Sequence, residues 1–432
     1  MKKIKFENLQ ETLYNEKLSN GLDVYILPKR GFSKTFATFT TKYGSIDRSF
    51  IPMGKEEAVT VPDGIAHFLE HKMFEKEDGD VFQKFSVQGA SANAFTSFTR
   101  TAYLFSATDN LYENTETLLD FVQEPYFTEK TVNKEKGIIA QEITMYDDLP
   151  DWRLYFGAIE NLFHEHPVKI DIAGTVESIQ DITAEHLYEC YETFYHPSNM
   201  ILFVVGAVDP EEMMQFIKKN QDNKSFKDPE EIVRNYPDEP INAALSEKSL
   251  VMDVTKPKLS VGLKCTKTDV SGEEMLIQEL SSGLVLDVLF DKSSDFYTKA
   301  YSEELIDESF SYDFTLEHGF GFAMIASDTE NPKGLEEAIR KTIREAVTSW
   351  PITEKDLDRM RKKKIGQFMR SLNSPEFIAN QFTRYAFNDM NLFDVVPVLE
   401  KMTLTDLEDA FKTFSDESGI TVFTVVPTEK NQ

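Results

Sequence analysis

The feature that most constrains the fold of this 432-residue chain is an internal repeat. Two related segments begin at positions 182 and 402, 220 residues apart, and read ITAEHLYECYETFYHPSNMILFVV and MTLTDLEDAFKTFSDESGITVFTV. Each is typical of an amphipathic helix that begins at a capping threonine, Thr183 or Thr403, followed by a turn and an apolar strand. A duplicated domain is the simplest explanation of a repeat at this distance.

Strand patterns open both halves of the chain. Asn20-Gly21 is a turn signal before an apolar segment, residues 36–43 alternate as a half-buried strand does, and residues 259–265 are their counterpart. Helical patterns follow in each half, which predicts an α+β chain of two homologous α/β-roll (ferredoxin-like, duplicated) domains with a mainly antiparallel sheet. The polar, proline-containing segment 218–247 predicts a linker between a first domain over residues 1–217 and a second over residues 248–432.

Charge and composition exclude several classes of function. The formal net charge is −28, which opposes nucleic-acid binding because phosphates would be repelled. No run of 18 apolar residues occurs and no apolar segment follows the charged N-terminus, so we expect no membrane span, no signal peptide and a cytoplasmic location. The carboxylates fit either a solvated surface or an acidic chamber that attracts basic peptides.

The segment His67-Phe68-Leu69-Glu70-His71 carries the clearest chemistry. Residues four apart on a helix lie on one side, about 5–6 Å apart at Cβ, which suits two neutral imidazoles that bind one zinc ion. Glu70 shares that side and can reach a water molecule that such a metal activates, as the general base. This order is the inverted form of the zinc-protease His-Glu-x-x-His motif.

A catalytic zinc site usually has three protein ligands, and two segments offer the third. Glu135 and Glu142 lie two turns apart on a predicted helix over residues 132–147, on a stripe with Ile138 and Ile139, and a carboxylate on an apolar stripe needs a partner. Both glutamates are also compatible with ordinary solvated positions. The rival segment His164-Glu165-His166 precedes a proline and is predicted to be a loop. Spacing alone leaves these alternatives open.

The second half differs from the first at the metal helix. Its counterpart is the segment 283–292, which reads GLVLDVLFDK and contains no histidine. The sequence therefore predicts a metal site in the first half, while the second half forms a support or a wall of the cavity.

These motifs together resemble the pitrilysin/insulinase family of inverted-motif zinc metallopeptidases. The similarity is greatest to its half-size members, such as mitochondrial processing peptidase and its bacterial relatives. The resemblance covers almost the whole chain and rests on HFLEH (67–71), Glu135 and Glu142, GASANAFT (89–96) with Thr99 and Tyr103, LSNGL (18–22) and YHPSNM (195–200). It implies one Zn2+ per chain on His67, His71 and Glu142, with Glu70 as the base and Glu135 as a carboxylate behind the ligands.

The resemblance also implies how a substrate is held. In the family, the strand with the Gly-x-x-x-Asn-Ala-x-Thr pattern pairs with an extended peptide, so that main-chain hydrogen bonds bind many sequences. Here that strand contains Asn93, Ala94 and Phe95, which are the candidate substrate-binding residues. The aromatic side chain of Phe95 is equally compatible with packing in the sheet.

One departure from the family pattern concerns the second half. Family members commonly carry an Arg and a Tyr after the counterpart helix, and the matching stretch Tyr301–Phe310 has no Arg, while Arg384-Tyr385 lies later in a helical stretch. We therefore predict a zinc endopeptidase for peptides or unfolded segments that acts as the catalytic subunit of a heterodimer with a homologous chain. The alternative is a binding or scaffold subunit of the same fold with little activity of its own.

Overall fold

The protein is described by a computed structural model over residues 1–428, and it combines helices and sheets as predicted. The strands are β1 (Lys2–Phe6), β2 (Glu11–Lys17), β3 (Asp23–Pro28), β4 (Thr35–Thr41), β5 (Ser49–Ile51), β6 (Val59–Thr60), β7 (Glu75–Lys76), β8 (Gly79–Asp80), β9 (Ser91–Thr96), β10 (Thr101–Ala107), β11 (Met200–Gly206), β12 (Val233–Arg234), β13 (Glu247–Met252), β14 (Lys258–Lys264), β15 (Ser311–Glu317), β16 (Phe320–Asp328) and β17 (Ile420–Pro427). The helices are α1 (Ile65–Met73), α2 (Val81–Val87), α3 (Leu111–Gln123), α4 (Glu129–Asp147), α5 (Pro150–Leu162), α6 (Ala184–Phe194), α7 (Pro210–Asp222), α8 (Gly272–Phe290), α9 (Asp295–Ser302), α10 (Pro332–Thr348), α11 (Glu354–Ser371), α12 (Pro375–Ala386), α13 (Val395–Lys401) and α14 (Leu404–Lys412).

The two main sheets share one topology. The first has the strand order β1-β2-β3-β11-β4-β10-β9, and the second has the order β13-β17-β14-β16-β15. In each, one parallel pair (β3 with β11, β13 with β17) is followed by antiparallel neighbours. The repeated segments end in β11 and β17, so the duplication and the α+β class predicted from the sequence are both confirmed.

The strand β4 differs from its predicted alternating pattern. All seven of its residues are buried, because helices α3 and α12 both pack against it. A strand that is covered on both faces buries its threonines as well as its apolar side chains, and Thr38 and Thr40 satisfy each other through a hydrogen bond of 2.8 Å. The alternation of residue types therefore indicated the strand and not its exposure.

The compact units of the chain are not continuous in sequence. Within the described residues, one comprises residues 1–143, 171–236 and 371–387, and the other comprises residues 144–170, 237–370 and 388–428. Helix α5, from the first half, thus packs on β14 and β17, and helix α12, from the second half, packs on β4 and β11. Helix α7 continues to Asp222 and β12 pairs with β5, so part of the segment 218–247 is ordered secondary structure. The predicted domain limits remain a prediction.

Among residues 1–428, no helix combines the length and the apolar character that crossing a membrane requires.

Candidate metal centre

The start of helix α1 is held by two glycines that face each other. Gly64 caps the helix with φ of +87°, and a Cβ at this position would collide with the carbonyl oxygen of Ala173. Gly174 has φ of +73°, and its Cβ would lie 2.6 Å from the carbonyl oxygen of Asp63. Only glycine adopts this backbone region at little cost, and only glycine leaves room for so close an approach. The helix start indicated by the sequence is therefore locked against the loop at 171–174.

Helix α1 divides its residues between the core and the site. Phe68 and Leu69 are fully buried in the core of the first unit. His67 and His71 lie together on the other side, with ring centroids 4.5 Å apart. The periodicity of 3.6 residues per turn produces this division, because residues 67 and 71 are one turn apart and the apolar pair lies between them.

Helix α4 brings the two glutamates to the histidines. It begins at Glu129, three residues before the predicted start, and Val132, Ile139 and Ile143 pack it against the core. Ile138 does not share that stripe as expected, since it is 45% exposed. One residue on a helix rotates the side chain by about 100°, which takes Ile138 away from the buried face that holds Ile139.

The three predicted ligands converge on one point. Glu142 Oε1 lies 3.7 Å from His67 Nε2, and Glu142 Oε2 lies 3.4 Å from His71 Nε2. One donor atom from each of the three residues lies within 4.8 Å of the others, and residues 1–428 contain no other such group of three His, Cys, Asp or Glu donors. Two imidazole nitrogens and a carboxylate oxygen are a donor set that zinc prefers, so the residues present fit this ion.

Glu135 stands behind His71 rather than beside the three donor atoms. Its Oε1 lies 3.1 Å from His71 Nδ1. This contact places the proton of the neutral ring on Nδ1 and leaves the lone pair of Nε2 directed toward Glu142. Burial alone would lower the pKa of His71, but the hydrogen bond to Glu135 and the charges of Glu70 and Glu142 outweigh it and raise the pKa.

His67 is in a different electrostatic environment. Burial, with a smaller contribution from His71, lowers its pKa to about 3. The ring is therefore neutral at ordinary pH and keeps a free lone pair, as metal binding requires. Its Nδ1 is buried and has no hydrogen-bond partner among the described residues.

Glu70 is the buried carboxylate beside this group. The residue is 8% exposed, and burial raises its pKa to about 7 although a hydrogen bond from the Thr96 hydroxyl, at 2.8 Å, opposes the shift. A carboxylate with a pKa near neutrality is suited to take up a proton and release it again. Sequence reasoning included Thr96 in a strand motif but did not connect it to Glu70, because strand alternation alone does not say which helix a side chain faces.

The candidate substrate-binding residues lie on β9, which is the last strand of the first sheet and, among residues 1–428, pairs with β10 alone. The amide of Ser97 donates to the carbonyl of Arg100, so Ser97 directs its main-chain groups toward β10. In an antiparallel pair the direction of these groups alternates from residue to residue, so the main-chain groups of Ala94 point away from β10, to the free edge. The Ala94 amide is 2.9 Å from Oδ1 of Asn93. The ring of Phe95 lies beneath the guanidinium of Arg100, 5.6 Å from ring centroid to Cζ.

The rival histidines lie elsewhere. His164 and His166 form a loop after α5 in the second unit, where their main-chain amides bind the carboxylate of Glu239 at 2.8 and 2.7 Å. The structure does not bring them into the three-donor group.

The second unit has a salt bridge where the first has histidines. When the two helices are aligned at their ends, with Met73-Phe74 of the first half on Leu289-Phe290 of the second, Gly283 corresponds to His67 and Asp287 corresponds to His71. Asp287 lies 3.7 Å from Nζ of Lys364 on α11 and accepts a hydrogen bond of 2.9 Å from the Tyr312 hydroxyl. A lysine ammonium therefore supplies the positive charge at this counterpart.

Comparisons with known proteins identify the family of this chain. The family profile described as Insulinase (Peptidase family M16) matches residues 50–176, and the profile described as Peptidase M16 inactive domain matches residues 181–364. The uncharacterized zinc protease YmfH of Bacillus subtilis (strain 168) is 61% identical over 427 residues, covering 99% of each chain. The chain belongs to peptidase family M16. The resemblance recognised from the motifs is thereby confirmed.

Solved structures of this family place the chain among its half-size members. An M16-like peptidase from Alicyclobacillus acidocaldarius is 40% identical, with a TM-score of 0.93 over 97% of this chain and 99% of that one. Pitrilysin shares the fold with a TM-score of 0.75 at 16% identity, and the match covers 99% of this chain but 46% of pitrilysin. The family is one of metallopeptidases, and the predicted zinc cofactor is confirmed at the level of the family.

Proposed function

We propose that this chain is a zinc-dependent endopeptidase with His67, His71 and Glu142 as the ligands of one Zn2+. The observation that carries the proposal is the closed group of three donor atoms beside a buried glutamate. Relatives named zinc proteases support the choice of metal.

Each residue of the group has a distinct task. When bound to these three residues, Zn2+ would supply Lewis-acid chemistry, which would polarise the carbonyl of a peptide and lower the pKa of a water molecule to about 7. Glu70 would take a proton from the attacking water as its oxygen bonds to the carbonyl carbon, and would give that proton to the amide nitrogen as the C–N bond breaks and the amine leaves. Glu135 holds His71 in the tautomer that presents Nε2. No covalent bond between substrate and protein is needed.

The free edge of β9 is the proposed substrate-binding surface, with Asn93, Ala94 and Phe95 at its centre. The main-chain groups of Ala94 that point to the free edge form hydrogen bonds with an extended peptide. The Asn93 side chain, which accepts a hydrogen bond from the Ala94 amide in this structure, turns toward the substrate instead. Hydrogen bonds to the main chain depend little on the substrate's side chains, so this surface fits peptides and unfolded segments of many sequences.

We further propose that this chain works as the catalytic subunit of a heterodimer. The stretch Tyr301–Phe310 contains no arginine, and the second unit has a salt bridge at the counterpart of the metal group. A homologous partner would supply an Arg and a Tyr to the oxyanion. The same absence favours the second candidate, a binding subunit with little activity of its own.

The decisive experiment loads the purified chain with one equivalent of Zn2+ and follows cleavage of unstructured peptides blocked at both ends, with mass spectrometry of the products. Internal cleavage that is lost with a chelator and restored by zinc supports the proposal. A His71→Ala chain is the control for contaminating proteases. If the zinc-loaded chain cleaves nothing, alone or with a homologous partner, the binding-subunit alternative replaces the peptidase.

A further inference from the structure

We propose that Thr96 is a positioning residue that fixes the Glu70 carboxylate from the strand on which the substrate docks. This inference rests on the proposed peptidase function. Its basis is the hydrogen bond of 2.8 Å between Thr96 Oγ1 and Glu70 Oε2, which joins β9 to α1.

Among the described residues, Thr96 is the only hydrogen-bond donor to the Glu70 carboxylate. A glutamate side chain has three rotatable bonds, so without this bond the carboxylate would be held only by packing. An ionised carboxylate accepts and does not donate, which fixes the direction of the bond from Thr96 to Glu70.

The Thr96 hydroxyl has two side-chain neighbours, the Glu70 carboxylate and the Thr101 hydroxyl. Thr101, opposite Thr96 on β10, donates its hydroxyl proton to the carbonyl of Tyr43 at 2.9 Å, while its distance to Thr96 Oγ1 is 3.4 Å. Thr101 is fully buried, so its hydroxyl does not exchange this partner for water. The contact of Thr96 to Glu70 is the shorter of the two, at 2.8 Å against 3.4 Å, and its acceptor is a carboxylate, so the Thr96 hydroxyl donates its proton to Glu70.

The hairpin that carries Thr96 is rigidly mounted. The amides of Ser45 and Ile46 donate to the carbonyls of Ser97 and Phe98 at 3.0 and 3.1 Å. Gly44 lies so close to Phe98 that a Cβ would collide with its carbonyl. A catalytic group is held best by a residue whose own position is fixed by its surroundings, and Thr96 meets this condition.

The alternation along β9 gives Thr96 a second contact. Its main-chain groups, like those of Ala94, point to the free edge where a peptide would pair. One residue thus contacts the substrate backbone with its main chain and the proposed base with its side chain. Docking of the peptide and placement of the base are coupled through a single short connection.

The test compares Thr96→Val, Thr96→Ala and Thr96→Ser with Thr108→Val, a matched change at an exposed threonine just after β10. Crystal structures of the zinc-loaded variants report the position of the Glu70 carboxylate, and kinetics report kcat and KM separately. We expect the carboxylate to leave its place in the Val and Ala variants and to keep it in the Ser variant. We also expect kcat to fall about 10–100-fold, the usual range for residues that orient a metal site, with zinc content unchanged. The Ser variant should recover most of the loss, and the Thr108→Val variant should equal the wild type.

The inference is overturned if Glu70 keeps its position without the Thr96 hydroxyl, or if the Ser variant is as slow as the Val variant. If the wild-type protein cleaves no peptide, the proposed function fails, while the crystal structures still decide whether Thr96 positions Glu70.

Discussion

The division of labour between the two glutamates of α4 is open to a direct measurement of zinc affinity. Glu135→Ala removes the carboxylate that accepts the Nδ1 proton of His71, where Nδ1 and Glu135 Oε1 are 3.1 Å apart. Glu142→Ala removes one of the three donor residues themselves. Hydrogen bonds to a charged partner contribute about 1.5–3 kcal/mol, and the Glu135 side chain is only 11% exposed, so solvent screens it little. We therefore expect the Kd for zinc to rise about 10–100-fold in Glu135→Ala, which corresponds to a loss of about 1.4–2.8 kcal/mol in binding free energy. The rise in Glu142→Ala should be larger.

The assay is competition for zinc with a chromophoric chelator of known affinity. Glu116→Ala, a change at an exposed glutamate of α3, is the control for loss of a negative charge. Thermal unfolding of the metal-free proteins separates a loss of ligation from a loss of folding. Unchanged affinity in Glu142→Ala, or a greater loss in Glu135→Ala than in Glu142→Ala, would refute the assignment of roles.

Four other outcomes are expected. Glu70→Gln should retain zinc but lose peptide hydrolysis by about 100-fold or more, as peptide kinetics and metal analysis will show. Gly64→Ala should lower the unfolding temperature more than Gly31→Ala does. Both glycines have a positive φ, but only at Gly64 would the added Cβ collide with a backbone oxygen, so equal shifts in calorimetry would contradict this. Burial raises the pKa of Glu239, but hydrogen bonds from Lys264 and three amides lower it to about 2. The Glu239 carboxylate should therefore contribute its full stabilisation above pH 4.5, its ordinary pKa, and lose it as the pH falls toward 2. The stability of Glu239→Gln should accordingly depend less on pH in that range than the stability of the wild type, as acid unfolding will measure. Titration of a homologous partner should raise peptide cleavage to saturation near one-to-one, whereas full activity of this chain alone would argue against a heterodimer.

Local sequence patterns predicted the elements that build the group of three donor residues. The spacing of His67 and His71, and of Glu135 and Glu142, gave the correct helices because a helix fixes which residues share a side. The repeat likewise predicted the shared topology of the two sheets. Residues that act across distant segments were less accessible, since spacing does not say which elements meet. Thr96 is such a case.

Burial was the property that local patterns described least well. Residues 36–43 alternate, yet all of β4 is buried because a helix more than 300 residues away covers it. Ile138 and Ile139 are equivalent as apolar residues, and only the packing of α4 decides that the first is exposed. Both outcomes depend on partners from other parts of the chain.

The exchange of α5 and α12 between the halves has a consequence for how the protein can be divided. A cut at residues 227–231, which are all exposed, separates the polypeptide into two pieces, but each piece contributes a helix to the compact unit of the other. The nicked protein should therefore remain a single particle under native conditions. For the same reason, neither half expressed alone contains all the helices of a complete unit, and we expect each half to fold only when the other is present.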